Sequence, residues 1–146
     1  MTFEVRAEAA VHPTEDQAKV ERALLKLFPS GRIEKTVKSD GAVFVSVHGT
    51  GFDFLSNLRS LIKQERIRSA ARAILLRVLK ESRLRFYLNK QAAFMGRISF
   101  CEPLGESPHG PISVEVDAED NQAIVDYLAS PPKQSLSPEF RQGRRR

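Results

Sequence analysis

The chain has 146 residues, of which 41% are hydrophobic and 28% charged, and its net charge is +5; this length suits one domain with a sizeable core. A single cysteine, Cys101, excludes a disulfide framework, the N-terminus lacks a signal-peptide pattern, and no stretch approaches the ~20 apolar residues of a membrane helix. We therefore expect a cytoplasmic protein with no membrane partner.

The chain begins with a predicted strand and helix. Apolar and polar residues alternate over residues 3–11, as in a strand that is buried on one face. Thr14 is followed by acidic residues and is a candidate helix cap. The apolar stripe of this helix consists of Val20, Leu24, Leu27 and Phe28. Pro29 is expected to end the helix.

Two strands are predicted next, over residues 33–39 and 42–48. The dipeptide Asp40-Gly41 joins them, and it tolerates the positive φ angles of a tight hairpin. Gly49-Thr50-Gly51 is expected to break the second strand. The first third of the chain therefore has a predicted β-α-β-β order.

A long helical stretch follows, because apolar residues recur at helical spacing from about Phe52 or Asp53 to Val78. The sequence leaves open whether the helix kinks or breaks near residues 64–66. An unbroken helix would present one basic edge on its polar side, and a broken helix would present two shorter ones.

The last part of the chain predicts strands over residues 84–88, 94–101 and 112–116. Asp117 is a good cap for a closing helix. Pro131-Pro132 is expected to end that helix.

These elements predict a single α+β domain over residues 1–132. Its sheet has about six strands, mixed or antiparallel, with helices packed on one face. Residues 133–146 are predicted to form a disordered basic tail, since they offer too little apolar material to offset the entropy of ordering them.

Positive charge is concentrated in one part of the helical stretch. Residues 59–85 carry nine Lys and Arg against two Glu, a net of +7, while residues 1–58 have a net of −1 and residues 86–132 a net of −5. The tail adds +4. Fifteen of the 23 basic residues are Arg, whose planar fork suits phosphate oxygens and stacks on bases. This segregation favours a polyanionic partner, and nucleic acid is the leading class.

The first candidate contact set lies on the polar side of the helical stretch. Arg59, Lys63 and Arg66 fall close together on a helical projection, with Arg68 and Arg72 as neighbours. Such an edge would contact phosphates and give sequence-independent, salt-dependent affinity. The alternative is a solvated face whose Arg residues form salt bridges within the protein.

The second candidate set lies around the turn after the strand at residues 84–88. Tyr87 points away from the apolar face of that strand and could stack on a base, with Lys90 and Arg97 as further contacts. The amides of Asn89 and Gln91 could read a base edge. Alternatively, these two amides satisfy backbone groups of the turn.

No catalytic or metal-binding constellation is predicted. His12, His48 and His109 are far apart in the sequence, and no Cys pair or His-x-x-x-His motif accompanies them. Acidic residues cluster where helices are predicted to start, and the helix dipole explains them there. We therefore expect no cofactor, no metal and no enzymatic activity.

Several motifs resemble those of an archaeal family of uncharacterised proteins, which is grouped with predicted RNA-binding proteins linked to the archaeal exosome. The motifs are His12-Pro13-Thr14-Glu15-Asp16, residues 58–68, Ala70-Ala71-Arg72 and residues 86–94. The similarity spans about residues 3–130. It implies an α+β fold like that of the ribosomal protein that binds the small RNA of the large subunit, and an RNA-binding role.

The leading functional hypothesis is therefore non-catalytic RNA binding. The main rival is a protein-interaction or scaffold domain, either a homodimer or a subunit of a larger complex, that does not bind nucleic acid. A hydrolytic enzyme is the third alternative.

Overall fold

The computed structural model describes residues 2–79, 83–102 and 110–131. The strands are β1 Glu4–Val11, β2 Arg32–Val37, β3 Val43–Thr50, β4 Leu84–Leu88, β5 Phe100–Cys101 and β6 Ile112–Asp117. The helices are α1 Gln17–Leu27, α2 Gly51–Gln64, α3 Arg68–Val78, α4 Lys90–Phe94 and α5 Asn121–Leu128. The predicted α+β class is confirmed, whereas the predicted tail at residues 133–146 lies outside the described residues.

The six strands form one open sheet in the order β2-β3-β1-β6-β4-β5. Every neighbouring pair is antiparallel, so the antiparallel alternative is the correct one. The central strand β1 pairs with β3 on one side and with β6 on the other. The N-terminal strand is therefore held on both edges by later parts of the chain.

The two faces of the sheet differ in composition because side chains alternate along each strand. One face carries apolar residues that are buried in the core under the helices; in β1 these are Val5, Ala7 and Ala9. The other face carries charged residues, such as Arg6 and Glu8 on the same strand. All five helices thus belong to one layer, as predicted. None of the helices in the described ranges is long and apolar enough to cross a membrane.

The helical stretch is broken, a question that the sequence left open, and hydrogen bonds explain the break. Arg66 has a φ of 61°, which is the left-handed conformation that ends many helices. Its amide donates to the Lys63 carbonyl (3.1 Å), and the Ile67 amide donates to the Ile62 carbonyl (3.2 Å). This is a Schellman motif, with Arg66 where Gly is usual. A new helix, α3, starts two residues later.

Two predicted helix caps are wrong by a few residues. Asp16 caps α1 by accepting from the Ala18 amide (3.0 Å), whereas the Thr14 hydroxyl lies 2.8 Å from the ring of His12. Asp120 caps α5 by accepting from the Ala123 amide (3.1 Å). Asp117 is instead the last residue of β6.

The glycine-rich segment after His48 does not break β3 where the sequence suggested. The strand continues to Thr50, and α2 starts directly at Gly51, whose φ is 80°. Gly49 lies within this strand, and the ring of Phe54 packs directly against it. A Cβ at position 49 would overlap that ring. Glycine is needed here for close packing between strand and helix.

The strand predicted over residues 94–101 is mostly wrong. The Asn89 side chain accepts a hydrogen bond from the Ala92 amide (2.9 Å) and starts the short helix α4. Exposure does alternate along residues 94–99, with Met95 74% exposed, but the backbone there forms the end of this helix and a turn, not a strand. Only Phe100 and Cys101 pair with β4.

Candidate nucleic-acid interface

Three basic residues meet in a cleft on the helical side of the protein. Arg59 and Lys63 come from α2, and Arg68 is the first residue of α3. We call this the α2–α3 cleft; its volume is about 320 Å³. It is lined by Arg59, Ile62, Lys63, Arg68, Tyr127, Leu128 and Ser130. The cleft therefore combines cations from two helices with an aromatic ring from α5.

The geometry of the cleft is fixed by aromatic packing. The Arg59 guanidinium lies 5.1 Å from the centroid of the Tyr127 ring, and the Tyr127 ring packs against Phe52 at a centroid distance of 4.8 Å. Ile62 and Leu128 are buried beneath the polar groups. Because a cation above an aromatic face is held electrostatically, Arg59 is oriented before any ligand arrives.

The cations of the cleft are not neutralised by the protein. Within the described ranges, Arg59, Lys63, Arg66 and Arg68 form no salt bridge with a carboxylate, and all four are exposed. The first turn of α3 also lacks a side-chain cap at Ile67, so its amides add partial positive charge beside Arg68. Arg66 occupies the adjacent turn and does not line the cleft.

Arg72 does not join this set. Its guanidinium donates to the Asp126 carboxylate (2.7 Å) and to the Ala129 carbonyl (2.9 Å), and its side chain is only 19% exposed. These bonds tie α3 to α5. The structure therefore does not bring Arg72 into the cleft, because its Nη1 group holds α3 against α5.

Lys90, another member of the predicted contact set, is buried and paired within the protein. It is 0% exposed, and its ammonium donates to the Ala10 carbonyl (2.7 Å) and to the Glu15 carboxylate (3.1 Å). Glu15 accepts a further bond from the His12 amide (2.8 Å). Lys90 thus fixes α4 against the segment between β1 and α1, and it is not accessible to a ligand. Asn89 caps α4, as the alternative reading proposed.

Tyr87 lies on the opposite side of the sheet from the cleft. It is half-buried on β4, where Cys101 and Ser113 are its neighbours in register. Leu88, the next residue along β4, is buried under the helices, so Tyr87 points to the outward face. The structure therefore does not bring Tyr87 together with the basic residues of α2 and α3.

Three cations on or beside the outward face of the sheet are paired with carboxylates. Arg6 lies 2.8 Å from Glu8, while Arg83 and Arg85 contact the same carboxylate of Glu115 at 3.2 and 2.7 Å. The basic run at residues 59–85 is thus divided. Its first half is unpaired and lines or borders the cleft, and much of its second half is paired with acidic residues.

Arg97 is exposed but paired. Its guanidinium donates twice to the Glu65 carboxylate, at 3.2 and 2.9 Å, and so joins the residues after α4 to the C-terminus of α2. This hydrogen bond from Arg97 is the main reason that the pKa of Glu65 lies below its ordinary value. The same bond raises the pKa of Arg97.

We expect Arg97→Gln to raise the pKa of Glu65 towards its ordinary value, because the charged donor is lost. A carboxylate with a lowered folded-state pKa stabilises the fold above its unfolded-state pKa, and this contribution disappears as the pH falls through the folded-state value. Carbon-detected NMR titration of the Glu65 carboxyl measures the shift. Arg83→Gln, which removes a distant guanidinium, serves as the control; an equal effect in both variants would contradict a specific Arg97 bond.

Tyr127 was not among the residues selected from the sequence. Its place in the apolar pattern of the last helix indicated a core residue, and its ring does pack against Phe52. The contact with Arg59 joins residues 68 positions apart in the chain. The sequence contained no local signal for that contact, since it depends on α5 packing beside α2.

Metal binding has no structural basis in the described part of the chain. No three His, Cys, Asp or Glu side chains there lie close enough to share an ion. His109, one of the three histidines considered from the sequence, lies outside the described residues.

Comparison with known proteins establishes the family. A family model described as RNA binding matches residues 4–118. The UPF0201 protein of Pyrobaculum aerophilum is 39% identical over 126 residues, which covers 86% of this chain and 87% of that protein. The chain belongs to the family whose model is described as RNA binding. A UPF0201 protein of Methanothermobacter thermautotrophicus is 40% identical over 126 residues, covering 86% of this chain and 89% of the relative.

The family also accounts for the fold. The crystal structure of a UPF0201 protein from Methanococcus jannaschii superposes with a TM-score of 0.77 at 31% identity, covering 91% of this chain and 97% of that structure. The archaeal family expected from the sequence motifs is therefore confirmed. The segment matched by the family model includes α2 and α3 with their cations, and it ends before α5.

Proposed function

We propose that this protein binds RNA without catalysis and that the α2–α3 cleft holds backbone phosphates. The convergence of Arg59, Lys63 and Arg68, none of them in a salt bridge within the described ranges, carries this proposal. Membership in a family described as RNA binding supports the class of partner.

The chemistry of the cleft suits a phosphodiester chain. Arg68 offers a planar fork of donors for phosphate oxygens, Lys63 offers a compact charge, and the stacked Arg59 is already oriented. Contacts of this kind position the nucleic acid and carry no sequence information. We therefore expect affinity that depends strongly on salt and weakly on base sequence.

Absence of catalysis is part of the proposal. The residues that line the cleft supply cations, an aromatic ring, aliphatic groups and the Ser130 hydroxyl. Among the residues that the structure describes, this lining includes no carboxylate, imidazole or thiol that would act as a general base for that hydroxyl.

Binding of the full chain to RNA over a range of salt concentrations tests the proposal. Three phosphate contacts on a single strand predict that log K falls with log salt at a slope of about −2 or steeper, since each contact contributes about 0.7. The measurement uses fluorescein-labelled oligouridine and a labelled hairpin, followed by anisotropy. No detectable binding at low salt would overturn the proposal. Self-association without RNA binding would instead favour the scaffold or homodimer alternative.

A further inference from the structure

A second basic surface lies on α1, away from the residues that line the α2–α3 cleft. Lys19, Arg22 and Lys26 are spaced three and four residues apart, so they share one side of the helix. All three are exposed, and the buried residues of α1 lie on a different side. With Phe94 of α4 they line a cleft of about 380 Å³. We call this set the α1 patch.

The charges of the α1 patch are unneutralised. Among the residues that the structure describes, no carboxylate lies within ion-pair distance of Lys19, Arg22 or Lys26. Glu21, the acidic residue of α1, is bonded to Gln17 on another side of the helix (2.7 Å). The α1 patch therefore resembles the α2–α3 cleft, and it differs from Arg6, Arg83 and Arg85 at the outward face of the sheet, which are paired with carboxylates.

The α1 patch is held in place by the elements beside it. The Lys26 ammonium donates to the Phe94 carbonyl, which joins α1 to α4. The half-buried ring of Phe94 adds an aromatic surface next to the cations. Arg22 and Lys19 have no such bond to the protein in the described ranges, so their donors are available to a ligand.

The α1 patch is also joined to the helix that carries the first cleft. The Asn57 side-chain amide, on α2, donates to the Lys26 carbonyl (2.7 Å) and to the Leu27 carbonyl (3.2 Å). Asn57 precedes Arg59 by two residues. The end of α1 is thus fixed against α2, and both basic surfaces belong to the same helical layer.

We propose that the α1 patch is a second phosphate-contacting surface and that one RNA strand engages it together with the α2–α3 cleft. This inference rests on the proposed function, because the same polyanion is assigned to both surfaces. Two unpaired surfaces in one helical layer would give a longer binding site than the cleft alone. Affinity should then rise with RNA length until a strand reaches both.

The test compares Lys19→Gln/Arg22→Gln with Arg32→Gln/Lys38→Gln in the full chain. Both double variants remove two exposed charges, and both keep the Lys26 bond to α4. Probes are labelled oligouridines of four and of twenty nucleotides, measured by anisotropy. We expect the α1 variant to bind the long probe about 14-fold more weakly at 0.15 M salt, with a slope lower by about 1.4, from two contacts of about 0.7 each. The change on the short probe should be less than twofold.

Several results would overturn the α1 proposal. One is that the α1 variant binds the long probe as tightly as the control variant does, while the variant without the cleft charges still binds it more weakly. This result would leave the proposed function intact. Equal losses on the short and long probes would exclude a strand that spans both surfaces. Normal RNA binding with loss of an acidic protein partner would assign the patch to protein recognition. Absence of RNA binding by the unmodified chain would remove both proposals together.

Discussion

Replacing Arg59, Lys63 and Arg68 with Gln in one variant is expected to weaken binding to single-stranded RNA about 50-fold at 0.15 M salt. Each of the three lost phosphate contacts removes about 0.7 from the exponent with which the association constant depends on salt concentration. The slope of log K against log salt should fall in magnitude by about 2 for the same reason. Glutamine retains much of the aliphatic length of these side chains while removing the charge. Anisotropy titrations at several salt concentrations measure both quantities.

A matched control separates the cleft from overall charge. Arg32→Gln/Lys35→Gln/Lys38→Gln removes three exposed cations from β2 and its turn, and none of them lines the cleft. We expect this variant to retain most of the affinity. If it loses as much as the cleft variant, the binding responds to net charge and the cleft is not the contact surface. Thermal unfolding of both variants shows whether the fold is unchanged.

Replacing Glu15 with Ala is expected to lower the free energy of unfolding by about 3–5 kcal/mol, because it removes the carboxylate that pairs with the buried Lys90 ammonium. Lys90 is 0% exposed, and its bond to the Ala10 carbonyl remains but does not balance the charge. The same change removes the acceptor for the His12 amide. Urea unfolding followed by circular dichroism measures the loss.

The double variant Glu15→Ala/Lys90→Met tests the origin of that loss. Methionine has a similar length and carries no charge, so the double variant should be more stable than Glu15→Ala alone. This difference is the signature of coupling between the two side chains. A loss below about 1 kcal/mol for Glu15→Ala would contradict a stabilising role for the buried pair, given what breaking such pairs costs elsewhere. Neither substitution touches the α2–α3 cleft.

Local patterns predicted most of the fold. The alternation in β1 and β6 and the helical spacing of α1 and α2 depend on neighbours in the sequence, and the structure confirms each of these elements. The break before α3 was one of two alternatives that the sequence left open. Errors arose where two nearby residues could each cap a helix: Asp16 and Asp120 are the caps, a few residues from the predicted Thr14 and Asp117.

The candidate site was less predictable because its residues depend on distant partners. Lys90 meets Glu15 across 75 positions of the chain, and Arg72 meets Asp126 across 54. Nothing near either residue in the sequence indicates that it is paired. The sequence did not indicate the α1 patch for another reason. Residues 1–58 have a net charge of −1, and this average concealed three cations on one side of a short helix.

The left-handed turn at Arg66 decides which charges are neighbours. In a continuous helix, Lys63 and Arg68 would be separated by about 140° around the axis, since five residues rotate the chain by about 500°. Their side chains would then point to different sides of the protein. The turn redirects the chain so that Arg68 enters the same cleft as Lys63, while Arg66 stays outside it. The composition of the cleft is therefore a property of backbone geometry at one residue as much as of the number of basic side chains.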